Sequence, residues 1–275
     1  MLIFEQFYAP GIAHLSYLIG DDSKGVAAVI DPRPDVECYL EKAREHRIGI
    51  THIFETHIHA DFMSGARELQ EQLGSPKIFV SGIDAPHYGF KSEKVKDGDT
   101  FEFGDALLTI RHTPGHTREH VALVVAEKDR KETPWGVFTG DSLFADSAGR
   151  PDIVGGEKEA RELGGLLFET MREFYSKLDD GVAIYPGHGA GSSCGPDIGD
   201  RRSTTMGYEK KHNAFLQFHE KEEFIKYTQK TATPIPRYYQ PMKKLNQKGP
   251  PVFGRMPPVP PLPAKSFNPV TFFNN

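Results

Sequence analysis

Apolar and polar residues alternate along the first part of the chain in short runs typical of β-strands. Alternation over Ile3–Tyr8 and Leu15–Ile19 predicts two half-buried strands, and the continuous apolar run Val26–Ile30 predicts a buried one. Apolar residues recur at helical spacing over Pro34–Arg47, and the run Ile50–Glu55 again has the pattern of a strand. This part of the chain therefore predicts a sheet with a helix packed on it.

The rest of the chain mixes strands and helices less regularly. A helix is predicted over Asp61–Leu73, with Gly74 as its stop signal, and two longer ones over Glu157–Leu178 and Thr204–Lys230. The further predicted strands are Lys77–Val80, Ala106–Arg111, His120–Val125, Gly136–Thr139 and Val182–Tyr185. Hairpin-like strands mixed with helices in both halves predict an α/β fold in which two sheets pack together with helices outside.

From Thr231 onward the periodic pattern gives way to a proline-rich composition. Eleven of the chain's 21 prolines lie between Pro234 and Pro269. Because proline fixes φ and removes a backbone donor, we expect an extended or polyproline-like segment here, with neither a helix nor a central strand. The sequence thus predicts one main domain over residues 1–230 and a Pro-rich C-terminal tail or linker over residues 231–275.

Composition narrows the class of protein. A chain of 275 residues is long enough for a large core, and its net charge of −5 argues against a nucleic-acid partner, which would need clustered Lys and Arg. No apolar stretch approaches the ~18 residues that span a membrane, and the N-terminus lacks the basic region of a secretory signal. Cys38 and Cys194 are the only cysteines and form no CxxC pair, which fits a reducing compartment. We therefore expect a cytoplasmic protein with neither a membrane nor a nucleic acid as its partner.

Histidines and aspartates stand in four Gly- or Pro-punctuated turns, and each turn follows a predicted strand. These residues are His57, His59 and Asp61 in THIHADF, His116 in HTPGHT, Asp141 in FTGDSLF and His188 in YPGHGAG. Binding residues concentrate on such loops because a rigid sheet can aim them at a common point. Imidazole nitrogens and carboxylate oxygens suit a borderline divalent ion. The four turns together predict a metal site.

Two kinds of metal site fit these residues. His57, His116 and Asp141 supply two nitrogens and one oxygen, the facial triad of non-haem Fe(II) oxygenases. If all the histidines bind metal instead, two zinc ions could share Asp141 and activate water for hydrolysis. Phe62 bears on this choice, because a binuclear hydrolase of this motif type needs a histidine directly after Asp61. Phenylalanine ligates nothing, so the mononuclear site is favoured.

The four motifs, in this order, resemble those of the metallo-β-lactamase fold superfamily over about residues 1–230. Within the superfamily the chain is most similar to the persulfide dioxygenases, including the bacterial forms fused to a rhodanese domain. That similarity rests on GRPD at Gly149–Asp152 and on the later segments SSCG and STTMGYEKKHN. The resemblance implies an α/β fold, a metallo-β-lactamase-like αββα four-layer sandwich. Since residues 231–275 contain no Cys-centred rhodanese loop, we expect a stand-alone dioxygenase module, or one whose Pro-rich end once led to another segment.

The resemblance also implies an activity, persulfide (sulfur) dioxygenation. A low-molecular-weight persulfide such as glutathione persulfide reacts with O₂ and water to give sulfite and the free thiol, a sulfide detoxification reaction. The implied ligands of one Fe(II) per chain are His57, His116 and Asp141. The implied catalytic groups around these ligands are His59, Asp61 and His188.

A glutathione-type substrate carries two carboxylates, so the site should offer cationic or hydroxyl partners. Arg150 is the best candidate, because it follows Asp141 by a short loop and arginine can hold a carboxylate with two hydrogen bonds. Tyr185, next to the PGHG turn, is expected to donate a hydroxyl from the opposite wall, and Cys194 is expected near the pocket. Coenzyme A and other small thiols stay open as carriers, and the fold class is compatible with a homodimer.

Two other functions stay open at this point. A zinc-dependent glutathione-thioester hydrolase of the glyoxalase II type would share the fold and the affinity for glutathione, but would differ in its metal and would consume no O₂. A non-catalytic member of the fold would be expected to have lost metal ligands. The ligand set His57, His116 and Asp141 is present, which favours an enzyme.

Overall fold

The computed structural model describes residues 1–74, 76–85, 87–153 and 155–254. The strands of the amino-terminal half are β1 (Leu2–Ala9), β2 (His14–Asp21), β3 (Val26–Ile30), β4 (Gly49–Phe54), β5 (Lys77–Ser81) and β6 (Glu93–Val95). The later strands are β7 (Thr100–Phe103), β8 (Ala106–His112), β9 (Val121–Glu127), β10 (Gly136–Gly140), β11 (Leu143–Phe144), β12 (Ser147–Ala148), β13 (Ala183–Pro186) and β14 (Thr204–Thr205). The helices are α1 (Glu37–His46), α2 (Ala66–Leu73), α3 (Glu157–Glu173), α4 (Met206–His212), α5 (Lys221–Lys230) and α6 (Tyr239–Lys248), with single 3₁₀ turns at Lys128–Arg130, Tyr175–Lys177 and Ala214–Leu216.

The larger strands form two six-stranded mixed sheets. The first has the order β1-β2-β3-β4-β5-β6, antiparallel from β1 to β3 and parallel from β3 to β6. The second has the order β14-β13-β10-β9-β8-β7, and β10 and β13 are its parallel pair. Strands β11 and β12 form a separate hairpin. The predicted pair of packed sheets is confirmed.

Side chains of the two sheets interlock in one buried layer, and helices cover the outer faces. Tyr17 and Phe54 of the first sheet pack with Leu123 and Phe138 of the second. The neighbouring residue Leu18 points to the other face, where α1 and α2 cover it, because successive side chains of a strand alternate. Helices α3 and α5 cover the second sheet. The order helix, sheet, sheet, helix confirms the αββα sandwich, and each buried aromatic side chain of its centre contributes about 1.5–3 kcal/mol.

The parallel strand pairs gather the predicted site residues at one edge. Strands β3 and β4 run parallel, so Asp31 and His57, which follow them, lie at the same end of the first sheet. Strands β10 and β13 bring Asp141 and His188 together in the same way. Ligands of open α/β sheets bind beyond the carboxyl ends of parallel strands. The sheets therefore position both halves of the site.

Several predicted helices are shorter than the periodicity indicates. Helix α3 ends at Glu173, short of the predicted Leu178. The segment 61–65 belongs to the loop over residues 55–65 that carries His57 and His59, called the histidine loop below. Helix α2 therefore begins only at Ala66. The segment predicted as one helix over Thr204–Lys230 is divided into α4, a 3₁₀ turn and α5. The division falls at Asn213, whose side-chain amide donates to the carbonyl oxygen of Ser147 at 3.0 Å while its oxygen accepts from Phe215 N at 3.0 Å. These bonds replace the helical hydrogen bonds that a continuous helix would make.

The prediction of an extended chain after Thr231 is wrong for residues 239–248, which form α6. Pro241 is the third residue of this helix, where a backbone N–H would have no helical partner, so proline costs little there. The preceding segment is irregular as far as Tyr238, and the part of the predicted tail from residue 255 on lies outside the described residues. Helix α6 contacts the histidine loop through the side chain of Asn246.

Within the described ranges, no helix combines the length and the apolar character that crossing a bilayer requires. The longest of them, α3, is amphipathic and packs one face against the second sheet.

Candidate metal centre

The turns that carry the site residues need close backbone approach. Gly140 has φ +48°, and a Cβ there would lie 2.6 Å from Thr56 Oγ1 and 2.8 Å from His120 Nε2. A Cβ on Gly187 would lie 2.5 Å from Asp141 Oδ1. The glycines that punctuate FTGD and YPGHG are therefore required because other residues would displace the functional side chains.

His57, His116 and Asp141 converge on one buried point. Their ligand atoms all lie within 4.8 Å of one another. Asp141 Oδ2 is 3.8 Å from His57 Nε2 and 3.5 Å from His116 Nε2. That oxygen is buried and has no hydrogen-bond partner in the described part of the chain. An unpaired buried carboxylate oxygen is costly, and a divalent cation would satisfy it together with the two imidazoles, so these three residues fit a metal ion.

Hydrogen bonds fix the face that each ligand presents. His57 Nδ1 bonds Thr56 Oγ1 at 2.9 Å, and this hydroxyl donates in turn to Asp31 Oδ2 at 2.8 Å. His116 Nδ1 donates to the carbonyl oxygen of Arg150 at 3.0 Å. Burial and the neighbouring imidazoles hold the pKa of His57 well below its usual range, and burial lowers that of His116. Both rings are therefore neutral, with Nε2 available for a metal.

His188 links the carboxylates of two motifs. Its Nδ1 lies 2.7 Å from Asp141 Oδ1, and its Nε2 lies 2.8 Å from Asp61 Oδ2. Burial opposes protonation of the ring, but the carboxylates of Asp141 and Asp61 outweigh it and raise the pKa of His188 to about 10. The protonated ring donates through both nitrogens. His188 therefore uses both nitrogens to orient Asp141 and Asp61.

His59 has different partners. Its Nε2 is 3.1 Å from Asp31 Oδ1 and 3.2 Å from Glu55 Oε2, all buried. Burial opposes its protonation, but Asp31 and Glu55 hold the pKa of His59 well above its usual range. Its Nδ1 is buried without a partner among the described residues. The Phe62 ring lies 4.4 Å from the His59 ring and 4.0 Å from the His14 ring, centroid to centroid.

The histidine loop is held from outside by Asn246 of α6. The Asn246 side-chain nitrogen donates to the carbonyl oxygens of His59 at 2.8 Å and Phe62 at 2.7 Å. Its side-chain oxygen accepts from Ser64 N at 2.9 Å. Asn246 is buried, so one amide satisfies three backbone groups that water would otherwise have to reach. The conformation of the histidine loop thus depends on a residue of the predicted tail.

The backbone of Asp141 is held by His120. Asp141 N donates to His120 Nε2 at 3.1 Å, so this nitrogen carries no proton, and His120 Nδ1 bonds Thr113 Oγ1 at 2.9 Å. The ring is neutral, in agreement with burial lowering the pKa of His120 to about 3. Protonating it would break the bond that orients the predicted carboxylate ligand.

We expect the unfolding free energy of the metal-free protein to fall as pH falls from 6.5 towards 4. The pKa of His120 is about 3 in the folded state and about 6.5 when unfolded, so the unfolded chain takes up the proton first. One such group contributes a slope of up to about 1.4 kcal/mol per pH unit in this window. Urea unfolding at several pH values should show a slope that is flatter by up to this amount in His120→Gln. Equal slopes in the two proteins would contradict the expectation.

The predicted substrate residues lie in different surroundings. Arg150 pairs with Asp152 through two bonds of 2.7 Å, and its remaining N–H groups donate to Thr233. The Tyr185 ring is half-buried in the layer between the sheets, where its centroid lies 4.7 Å from that of Phe4 and 5.4 Å from that of Phe138. The structure thus keeps Tyr185 among the core aromatics, while Arg150 touches the triad through its backbone.

Cys194 is buried beside the His188–Asp61 pair. Its ligand atom lies within 4.8 Å of theirs, and its Sγ lies 3.6 Å from the Tyr239 hydroxyl. Burial, with the carboxylates of Asp61 and Asp141, raises the pKa of the Cys194 thiol well above its usual range. The cysteine is therefore a neutral thiol at the margin of the site.

Sequence reasoning missed several residues of this centre. Glu55 precedes His57 by two positions and stands at the end of a predicted strand. Its place in the FETHIHAD motif could have indicated that its carboxylate belongs to the site. His120 follows HTPGHT in the same turn. Asn246 lies in the segment that proline content marks as a tail, and no local pattern there indicates the site.

The fold and the triad together define a metal-binding protein of the metallo-β-lactamase type. The family model for the metallo-beta-lactamase superfamily matches residues 9–188. The chain therefore belongs to the metallo-β-lactamase superfamily.

Known proteins of different names are similar to this chain. A crystal structure of a metallo-beta-lactamase from Staphylococcus aureus subsp. aureus COL is similar with 33% identity and a TM-score of 0.85, covering 97% of this chain and 78% of that one. ETHE1 from Myxococcus xanthus is similar with 27% identity and a TM-score of 0.75, covering 90% of this chain and 98% of that one. A hydroxyacylglutathione hydrolase of Nostoc punctiforme is 34% identical over 136 residues, 49% of this chain and 51% of that protein.

Proposed function

We propose that this protein is a mononuclear non-haem Fe(II) persulfide dioxygenase that oxidises a low-molecular-weight persulfide, such as glutathione persulfide, to sulfite and the free thiol. The observation that carries the proposal is the bonding of His188. Both of its nitrogens are engaged by Asp141 and Asp61, so it offers no lone pair to a second ion while those bonds last. Phe62 occupies the remaining position of a second site. The two-nitrogen, one-oxygen triad is left to hold a single ion.

The residues divide into ligands and groups that orient them. His57, His116 and Asp141 would hold Fe(II), which supplies the redox chemistry between persulfide sulfur and O₂. Thr56 and the Arg150 carbonyl keep the two imidazoles in the required tautomer. His59 Nδ1 lacks a protein partner in the described chain, so it is the ring atom that can bond a substrate or solvent oxygen.

Similarity to known proteins is compatible with both candidate functions. The likeness to ETHE1 extends over nearly the whole of both chains, whereas the match to hydroxyacylglutathione hydrolase covers about half of each. The substrate roles of Arg150, Tyr185 and Cys194 stay predictions. A cytoplasmic location and a homodimer stay predictions as well.

The second candidate function is zinc-dependent hydrolysis of a glutathione thioester. It is favoured by the cluster of Asp61, His188 and Cys194, in which the cysteine could take the place of the missing histidine. A zinc ion there would require His188 to release a carboxylate and the Cys194 thiol to lose its proton. A bound zinc ion would itself favour the thiolate, so the proton of Cys194 does not decide between the two functions. The bonds of His188 to Asp141 and Asp61 favour the dioxygenase.

Metal analysis of anaerobically purified protein, coupled to O₂ uptake with glutathione persulfide, tests the proposal. We expect about one iron per chain and persulfide-dependent O₂ uptake with release of sulfite. Two zinc ions per chain, no O₂ uptake and hydrolysis of a glutathione thioester would instead establish the hydrolase. Metal content without either activity would contradict both functions.

A further inference from the structure

The structure has one cavity of ≈ 450 Å³ and one of ≈ 430 Å³, and either volume would suit a small thiol. The second cavity opens beside the triad residue His116. Its walls come from the HTPGHTRE turn, α3 and α6. This volume is within the range of small-molecule sites. The larger cavity lies at Trp135, on lining residues that include no member of the triad. The pocket that touches the triad residue His57 is far smaller, ≈ 20 Å³, so the cavity beside His116 is the one that has room for a substrate next to the triad.

The charged lining of this cavity is mixed. It contains three cations and three carboxylates, namely Arg118, Lys243, Lys244, Asp84, Glu119 and Glu159. Arg118 is engaged by Glu162 at 2.6 Å and by Glu159 at 3.6 Å. A balanced lining suits a molecule that carries both signs of charge, such as the ammonium and carboxylate of an amino acid, better than a polyphosphate.

Lys243 is a largely buried cation of this cavity. Its side chain is 16% exposed, and its Nζ is 4.0 Å from Glu119 Oε1, a distance at the limit of an ion pair. Glu119 Oε1 also accepts from Ile58 N at 3.2 Å, so this carboxylate is already shared with the histidine loop. The Lys243 charge acts on both His57 and His116. The ammonium is thus near the metal centre with one distant partner among the described residues.

Neighbours on α6 fix the position of Lys243. Asn246, three residues further on, is bonded to the histidine loop, and Gln240, three residues earlier, donates to the carbonyl oxygen of Ile153 at 3.1 Å. Residues three apart lie on the same face of a helix. Lys243 therefore projects from a face that is anchored at both ends, so its ammonium is pre-positioned for a ligand.

We infer that Lys243 binds a carboxylate of an amino-acid-type thiol carrier, and that this contact selects peptide thiols such as glutathione. The inference rests on the proposed function for the identity of the reacting sulfur group. Binding of the carrier itself is independent of that reaction, since the cavity charges recognise the carrier and not the persulfide. Lys243 is thus a specificity-determining residue supplied by the helix that proline content would assign to a tail.

The test compares binding of S-methylglutathione, which cannot react, with binding of its diethyl ester, in which the carboxylates are blocked. Calorimetry on the full chain should show that the native protein prefers the acid. Lys243→Met should weaken binding of the acid about tenfold or more and leave the ester unchanged, since charge-assisted bonds carry about this weight. Lys243→Arg should recover part of the preference, and Lys248→Met, an exposed lysine of the same helix, serves as the control.

The outcomes separate this inference from the proposed function. The inference would be overturned if Lys243→Met lost the same affinity for the acid and for the ester, or lost affinity for neither. So would failure of the native protein to bind S-methylglutathione while it oxidises coenzyme A persulfide. Absence of O₂ uptake with every persulfide would overturn the dioxygenase, yet the acid-to-ester preference would still decide the role of Lys243.

Discussion

Replacing Asp141 by alanine is expected to remove the bound metal and with it the activity. Asp141 is the one anionic member of the triad, and its Oδ2 is a buried oxygen that lacks a hydrogen-bond partner among the described residues. Even residues that only orient a ligand change metal affinity by about 10–100-fold, so loss of the ligand should exceed that range. Metal content per chain, measured after gel filtration in parallel with O₂ uptake, checks this result.

The isosteric variant Asp141→Asn separates metal binding from folding. The side-chain oxygen of the asparagine can still accept a hydrogen bond from His188 Nδ1. In the native protein the protonated His188 ring donates this bond to Asp141 Oδ1 at 2.7 Å. We therefore expect Asp141→Asn to keep more of the native melting temperature than Asp141→Ala, while both lose metal. Iron content equal to that of the native protein in either variant would disprove the ligand assignment.

The site motifs could be read from the sequence because each is a local pattern. A strand followed by a turn with histidine or aspartate places that side chain at a sheet edge, and parallel pairing brings the edges together. His57, His116 and Asp141 follow this rule, and the structure gathers them. The glycines of the same motifs also have a local meaning, since Gly140 adopts φ +48° where a side chain would clash.

The groups that surround the triad could not be read in this way. Asn246 contacts the His59 carbonyl across 187 positions, and Lys243 reaches Glu119 across 124. No window of sequence contains both partners. Composition was misleading as well, because Pro241 stands in the first turn of α6, where proline is tolerated.

Arg150 shows a different limit of sequence reasoning. The guanidinium of Arg150 could pair with a carboxylate of the substrate. It could equally pair with a carboxylate of the protein itself, such as Asp152 two positions further on. In the structure Asp152 takes this place, with both bonds at 2.7 Å. Sequence identifies the chemistry that arginine offers, and only the structure shows which partner is within reach.

Replacing Asn246 by alanine is expected to destabilise the protein strongly, although Asn246 does not touch the triad. The substitution leaves three buried backbone groups without partners, the carbonyls of His59 and Phe62 and the N–H of Ser64. Each costs about 1–3 kcal/mol when unsatisfied, so the unfolding free energy should fall by about 3 kcal/mol or more. The melting temperature of the metal-free protein should fall by at least about 6 °C. Urea and thermal unfolding measure both quantities.

A matched substitution on the same helix distinguishes this bonding from a general weakening of α6. Gln247 follows Asn246 and donates one exposed bond to the His87 carbonyl, so Gln247→Ala should cost less than about 1 kcal/mol. If α6 merely covered the surface, the two variants would behave alike. A large loss in Asn246→Ala alone, together with faster release of the metal, would show that the histidine loop holds its conformation through this amide. Helix α6 would then be an integral part of the metal centre, because the loop that presents His57 and His59 would depend on it.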